Sequence, residues 1–199
     1  MNTQRAAGPS LVLASTSPYR KTLLARLGQP FATVAPGVDE RPRDHEPPEQ
    51  LVRRLAQAKA QAASAAFPDA LIIGSDQVAV LEGEILGKPG DHEHAVRQLH
   101  RASGRTVDFF TGLCLLNSRT GAVQCDVVPF RVVFRALSAQ QIEDYLRREQ
   151  PYNCAGSFKS EGLGIALFER LQGDDPTALM GLPLIRLSRM LEQEGVKVI

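Results

Sequence analysis

The chain has no tryptophan, and aromatic residues make up only 6% of its 199 positions. Proteins that grip a nucleic-acid strand interleave aromatic and basic side chains along a groove. No such stripe occurs here, and the formal net charge is only +1. A nucleic-acid polymer and an anionic membrane surface are both disfavoured as partners on these grounds. Any anion site must be local, which points to a small phosphorylated ligand. Cysteine is scarce too: Cys114, Cys125 and Cys154 are widely spaced, odd in number and form no C-x-x-C pair. A disulfide framework or zinc ribbon is disfavoured, and a reducing compartment fits. No apolar run is long enough to span a membrane, and the first ten residues lack the apolar stretch of a signal peptide. A cytoplasmic location is the expectation. No Ser/His/Asp triad suggests itself, and His92 and His94 lie two apart on a predicted helix, where they share no face.

What remains is an ordinary globular composition, 43% hydrophobic and 23% charged, sufficient for a substantial core. There is no repeat, low-complexity tract or dividing linker. One domain over 1–199 is expected, with residues 1–9 as a flexible start. Leu11 to Ala14 reads as a buried strand. A helix should open at Ser17 or Pro18 and end at Gly28, because Ser is a favoured cap and Pro a favoured first residue. Phe31 to Ala35 reads as a strand, and Leu51, Leu55, Ala58 and Ala62 mark one face of a helix from about Pro48 to Ala66. Leu71 to Gly74 and Val78 to Leu81 read as two strands, with a turn at Glu82-Gly83. Asp91 can cap a helix through Ala102. Thr106 to Leu116 and Val123 to Phe134 form the strongest hairpin signal, and Ser138 with Gln141 matches a capping box. A last helix is expected over 182–194. The class is mixed α/β with a partly antiparallel sheet.

Five places carry candidate chemistry. Ser15-Thr16-Ser17-Pro18-Tyr19-Arg20 lies at a strand-to-helix junction, where free N–H groups and the helix dipole suit phosphate. Arg20 and Lys21 in the first turn oppose that dipole, so an anion should offset them, and arginine can bind phosphate bidentately. Gly74-Ser75-Asp76-Gln77 delivers a carboxylate from an apolar strand, suited to holding a metal or activating water. Gly87-Lys88-Pro89 holds a lysine between turn residues; its glycine spacing is not that of a P-loop, and Pro89 stands where a magnesium-binding Ser or Thr would be needed. Asp39 and Glu40 are adjacent acids after a turn. Cys154 to Gly164 is a polar, glycine-rich loop that permits close approach to a ligand.

Taken together, LASTSPYRKTLLARLG, VDE, AQAKA, IIGSDQ, ILGKP, CAGSFKSEGLG and MGLPL occur in this order across nearly the whole chain. The set resembles the Maf family of nucleotide pyrophosphatases, and the SDQ and SFKSEG wording is closest to the branch acting on 7-methyl-GTP. The resemblance implies a twisted mixed sheet with flanking helices, two lobes around a central cleft as in Maf and ITPase-like folds, and a homodimer. It implies hydrolysis of a nucleoside triphosphate to the monophosphate and pyrophosphate with a divalent metal (Mg, Mn or Co). Asp76 falls on the family's catalytic proton acceptor. Ser15, Ser17, Arg20, Lys59 and Lys88 fall on phosphate-contacting positions, and Glu40 and Asp76 on the metal-linked carboxylates. Tyr19, Gln77 and Glu161 fall on the positions associated with base selectivity. One departure is that the branch often carries Trp where this chain has Tyr19.

Methylation at N7 gives guanine positive charge, which an aromatic face attracts. A carboxylate such as Glu161 can accept from the guanine N1–H and exocyclic amine, and an Arg at position 19 would repel the charged base. The sequence alone does not separate which carboxylate is base and which is ligand. A rival is a nucleotide-binding regulator of cell division that uses the same pocket without hydrolysis. The acidic pair Glu40 and Asp76, with Lys88, argues against it, since simple binding has no need of that pair.

Overall fold

The structure, a computed structural model, describes residues 9–199. Residues 1–8 of the expected flexible start lie outside the described residues. Strand β1 (Ser10–Ala14) runs parallel to β2 (Phe31–Val34) on one side and to the first part of β3 (Ala70–Leu81) on the other. Antiparallel pairing then joins β3 to β5 (Thr106–Asn117), β5 to β6 (Val123–Phe134), and β6 to a short edge strand, β7 (Phe168–Gln172). A three-residue strand, β4 (Glu84–Leu86), folds back on the end of β3 through Glu82 and Gly83, both with positive φ. Among the described residues this makes one mixed seven-stranded sheet.

Alternate residues of the inner strands face opposite layers. Leu11, Leu13, Leu71 and Ile73 pack with helices α1 (Pro18–Ala25) and α6 (Leu184–Gln193). Val12, Ala14 and Ile72 pack instead under α2 (Pro48–Ala63). Burial on both faces is why these strands read as unbroken apolar runs. A separate cluster gathers α3 (His92–Ala102) and α4 (Ala139–Glu149) around Leu81, Leu86, Phe109 and Phe134. The sheet thus carries two apolar lobes, with the middle of β3 and β5 between them. Asp91 caps α3, and the Ser138–Gln141 capping box opens α4.

One expectation needs correction, and two short elements were not expected. The two strands expected around Gly74–Gln77 are one continuous strand. Residues 74–77 keep full register with β5, from Gly74 opposite Cys114 to Gln77 opposite Thr111, and ladder bonds are indifferent to side-chain polarity. Asp76 therefore sits mid-strand. The last helix expected over 182–194 is α6, which starts after Pro183; the short α5 (Pro176–Leu179) before it was not expected, and Gly181 at φ 99° and Pro183, which has no N–H to donate, separate the two. Strand β7 was not expected, because Phe-Glu-Arg-Leu-Gln lies mostly exposed on the edge and lacks a buried alternating face.

The gap in pairing positions the site. On one edge β3 is paired to β5 throughout. On the other, Ile73 is the last partner of β1 and Ala79 the first partner of β4. Residues 74–78 thus present an open edge, just where β1 ends and α1 begins. Above it α2 crosses at very short range: a Cβ on Gly74 would stand 2.0 Å from the Ala56 carbonyl oxygen, and one on Gly112 2.1 Å from that of Val52. Gly112 lies directly opposite Asp76.

Candidate functional site

At the exit of β1 the buried Ser15 accepts a bond from the Ser17 N–H at 3.1 Å, and Ser17 caps α1 by accepting from the Arg20 N–H at 3.4 Å. Each serine accepts through oxygen and keeps its O–H as a donor. Pro18 is the first helical residue and has no N–H to satisfy. Arg20 turns inward, and its Nε donates to the Gly181 carbonyl at 2.8 Å. That carbonyl also accepts from Ser75 Oγ at 2.9 Å. The terminal guanidinium nitrogens make no hydrogen bond among the described residues and are left for an anion. Burial lowers the Arg20 pKa, while the charges of Asp76 and Glu40 act in the opposite direction; arginine stays charged in either case. Lys21 is exposed and does not reach the cleft.

Lys59, on the buried face of α2, lies between two carboxylates. Its Nζ is 2.7 Å from Asp76 Oδ1 and 2.6 Å from Glu40 Oε1. Asp76 is buried, whereas Glu40 is largely open to the cleft. Partial burial works against ionisation of Glu40, but Lys59, with Lys88 and Arg20, outweighs it and holds that carboxyl below its ordinary value. The two acids thus offer an all-oxygen donor set to one small cationic centre. Magnesium-type ions take one or two carboxylates and complete their shell with water and substrate phosphate, so the pair fits such an ion. Among the described residues no group of three or more His, Cys, Asp or Glu side chains gathers to form a closed protein cage.

The loop carrying Glu40 is tied to α2 as well. Arg54 grips Glu46 with two bonds of 2.6 and 2.7 Å and also donates to the Arg41 carbonyl at 3.2 Å. The bonds from Arg54 hold the Glu46 carboxyl at about 2, below its ordinary value of 4.5. A depressed folded-state pKa gives stability that is present above the unfolded value and lost as pH falls through the folded one. Glu46→Gln should therefore be less stable than the parent at pH 6, with the difference vanishing as pH drops from 4.5 towards 2. Urea unfolding at several pH values measures this; a gap independent of pH would contradict it.

At the far end of the cleft, Tyr19 faces Asn153, Cys154 and Glu161. Burial, with Cys154 and Glu161 adding to it, pushes the Tyr19 phenol up to about 12. Gln77 is anchored through its nitrogen. Its Nε2 faces Thr111 Oγ1 at 2.9 Å and the carbonyls of Ala178 and Leu179 at 2.8 and 3.1 Å. Carbonyls cannot donate, so the amide orientation is decided, and Oε1 is the atom left over. Gln77 consequently offers the cleft an acceptor. Lys88 is exposed and makes no ion pair among the described residues.

The ten residues that the family resemblance marks, Ser15, Ser17, Tyr19, Arg20, Glu40, Lys59, Asp76, Gln77, Lys88 and Glu161, line this one cleft of about 730 Å³, whereas the candidates Lys21 and Asp39 do not. Ligand pockets run to about 300–1,000 Å³, so a nucleotide can be housed. The family model for Maf-like proteins matches residues 10–194. The chain belongs to the Maf family. Among the relatives of this Maf chain, a 7-methyl-GTP pyrophosphatase of Nitrosococcus oceani is 61% identical over 199 residues, covering 100% of each chain. One of Methylobacillus flagellatus with the same name is 59% identical over 191 residues, 96% of this chain and 100% of the relative. The solved Ham1 protein of Staphylococcus aureus superposes with TM-score 0.51 at 14% identity, covering 93% and 99% of the two chains. That likeness concerns the fold alone.

Several residues that shape the Maf cleft were not picked out as site residues from the sequence. Gly181, Ser75 and Thr111 hold Arg20 and Gln77 in place, and Asn153 lines the base end. Asp175 caps α5 and accepts from the Ile185 N–H at 2.8 Å, fixing the turn that presents the Gly181 carbonyl. The Asp175-Pro176 pair is a helix-start signal that could have exposed this turn. Lys159, by contrast, points away: its Nζ donates to the Glu149 carbonyl at 3.1 Å and clamps the glycine-rich loop to α4.

Proposed function

We propose that this protein hydrolyses 7-methyl-GTP to 7-methyl-GMP and pyrophosphate, removing a non-standard nucleotide from the pool. The observation that carries this is one cleft holding the Asp76–Lys59–Glu40 cluster at one end and Tyr19 with Glu161 at the other. Relatives bearing that activity in their names support the choice of substrate.

Arg20, Lys59 and Lys88, with the two serine hydroxyls, surround the phosphates and oppose their charge, the principal requirement of phosphoryl transfer. Asp76 accepts a proton from a water molecule whose oxygen attacks the α-phosphorus. The bond from that phosphorus to its bridging oxygen breaks, and pyrophosphate leaves with the electron pair. Lys59, 2.7 Å from Asp76 Oδ1, holds that side chain in place for this role. When bound by Glu40 and Asp76, a magnesium-, manganese- or cobalt-type ion supplies further positive charge beside the phosphate oxygens.

Selectivity follows from complementary charge. Tyr19 offers its face to the cationic methylated ring. Gln77 Oε1 and the Glu161 carboxylate are acceptors suited to the guanine N1–H and amine. Tyr19→Ala should lower kcat/KM for 7-methyl-GTP by roughly tenfold, the worth of a partly desolvated cation–π contact of about 1–2 kcal/mol, and lower that for GTP less. Equal losses for both would remove the stacking role. The enzyme is proposed to act in the cytoplasm, in keeping with its three unpaired thiols, and as a homodimer, a state that sedimentation would report. The overall proposal is tested by pyrophosphate release from 7-methyl-GTP, GTP, UTP and dTTP with each metal. Highest kcat/KM for 7-methyl-GTP is expected. Binding without release would identify a regulator instead.

A further inference from the structure

We propose that Asn153 and Cys154 are positioning residues for base selectivity, forming with Tyr19 a relay of side-chain hydrogen bonds through the thiol that fixes the phenol as the stacking face. This rests on the cleft being a 7-methyl-GTP site. Cys154 Sγ lies 3.4 Å from Asn153 Oδ1 and 3.9 Å from the Tyr19 hydroxyl. A thiol has one hydrogen. Given to Asn153 Oδ1, it leaves the sulfur free to accept from the Tyr19 O–H. The sulfur then serves once as donor and once as acceptor, without conflict.

The sulfur contact is weak alone, but it is held on a stiff support. The Cys154 N–H donates to the Pro151 carbonyl at 3.1 Å, and the Ser157 N–H to the Cys154 carbonyl at 3.2 Å. The Gly90 N–H donates to the Tyr152 carbonyl at 2.9 Å, which joins this loop to the one bearing Lys88. Gly156 adopts φ 75°, and a Cβ there would stand 3.3 Å from the Phe158 ring. Burial raises the thiol pKa of Cys154 as it does the phenol's, so both protons that the relay needs are present at neutral pH. Tyr19 stands in the first turn of α1, where an untethered side chain could turn towards solvent. Fixing it beforehand removes an ordering cost from binding.

The test compares steady-state kinetics of Asn153→Ala, Cys154→Ala, Tyr19→Phe and the Tyr19→Phe/Cys154→Ala double variant on 7-methyl-GTP and GTP. Each single change should raise KM for 7-methyl-GTP about three- to tenfold, the scale expected for one side chain left to be ordered on binding, with kcat little altered and GTP affected less. The double variant should be no worse than Tyr19→Phe, since the relay is already broken. Crystal structures without nucleotide should show one Tyr19 rotamer in the parent and several in Asn153→Ala and Cys154→Ala. Unchanged selectivity in those two variants, with Tyr19→Ala still defective, overturns the relay and leaves the substrate assignment standing. A parent enzyme with no preference for 7-methyl-GTP overturns both.

Discussion

Asp76→Asn is expected to lower kcat by about 10³-fold, within the 10²–10⁴ that a positioned general base contributes, while nucleotide binding is kept or tightened. Asparagine preserves the volume and the mid-strand backbone pairing to Gly112. It removes the negative charge that Lys59 contacts at 2.7 Å. Lys59 keeps Glu40 as a partner, and the cationic wall of Arg20, Lys59 and Lys88 then loses part of its counter-charge. Calorimetric titration with 7-methyl-GTP, beside a pyrophosphate-release assay, separates the two effects. Parent-like turnover would refute the proposed role. Loss of binding with loss of turnover would make Asp76 a structural residue.

Gly112→Ala is expected to be nearly as damaging by a different route. The added Cβ would sit 2.1 Å from the Val52 carbonyl oxygen and 3.0 Å from the Arg53 nitrogen, both backbone atoms of α2. No rotamer change relieves such a contact, so the helix must move away from the sheet. Overpacking of this kind costs about 1–3 kcal/mol and at times more. Because α2 carries Lys59, the same displacement separates Lys59 from Asp76 and lowers kcat. Urea unfolding and steady-state rates should fall together. A destabilised variant with parent-like kcat, or an unaffected one, would show that the close approach of α2 does not position the site.

Much of the fold was legible because local chemistry and tertiary packing agree. The Asp91 cap, the Ser138–Gln141 box and the hairpin of β5 and β6 all appear where turn and capping residues mark them. The break expected inside β3 did not occur, because Gly74, Ser75 and Asp76 look like a turn but are held by β5, a partner distant in sequence. Strand β7 and the short α5 escaped notice for a related reason: neither has a face whose periodicity records what it packs against. Arg20, Glu40, Asp76, Lys88 and Glu161 stand in or beside glycine-, proline- or turn-marked segments and converge on one cleft, whereas Lys59, in the middle of α2, was indicated only by the family resemblance. Their supports were not. Gly112 looks like any strand glycine until the Val52 carbonyl is seen against it, and Gly181 acts through its carbonyl, which no side-chain pattern reports. Asn153 and Cys154 gain meaning only beside Tyr19, 134 and 135 positions away in sequence.

The gap in β3 pairing, spanned by the Lys59–Asp76 contact, is the centre of the account: a water molecule activated there should meet the α-phosphorus of a triphosphate whose base lies against Tyr19. Single-turnover hydrolysis of 7-methyl-GTP in ¹⁸O-labelled water, read by mass spectrometry of both products, tests this most directly. One labelled oxygen in the monophosphate and none in the pyrophosphate is the expected result. Label in the pyrophosphate, or release of inorganic phosphate in its place, would contradict it.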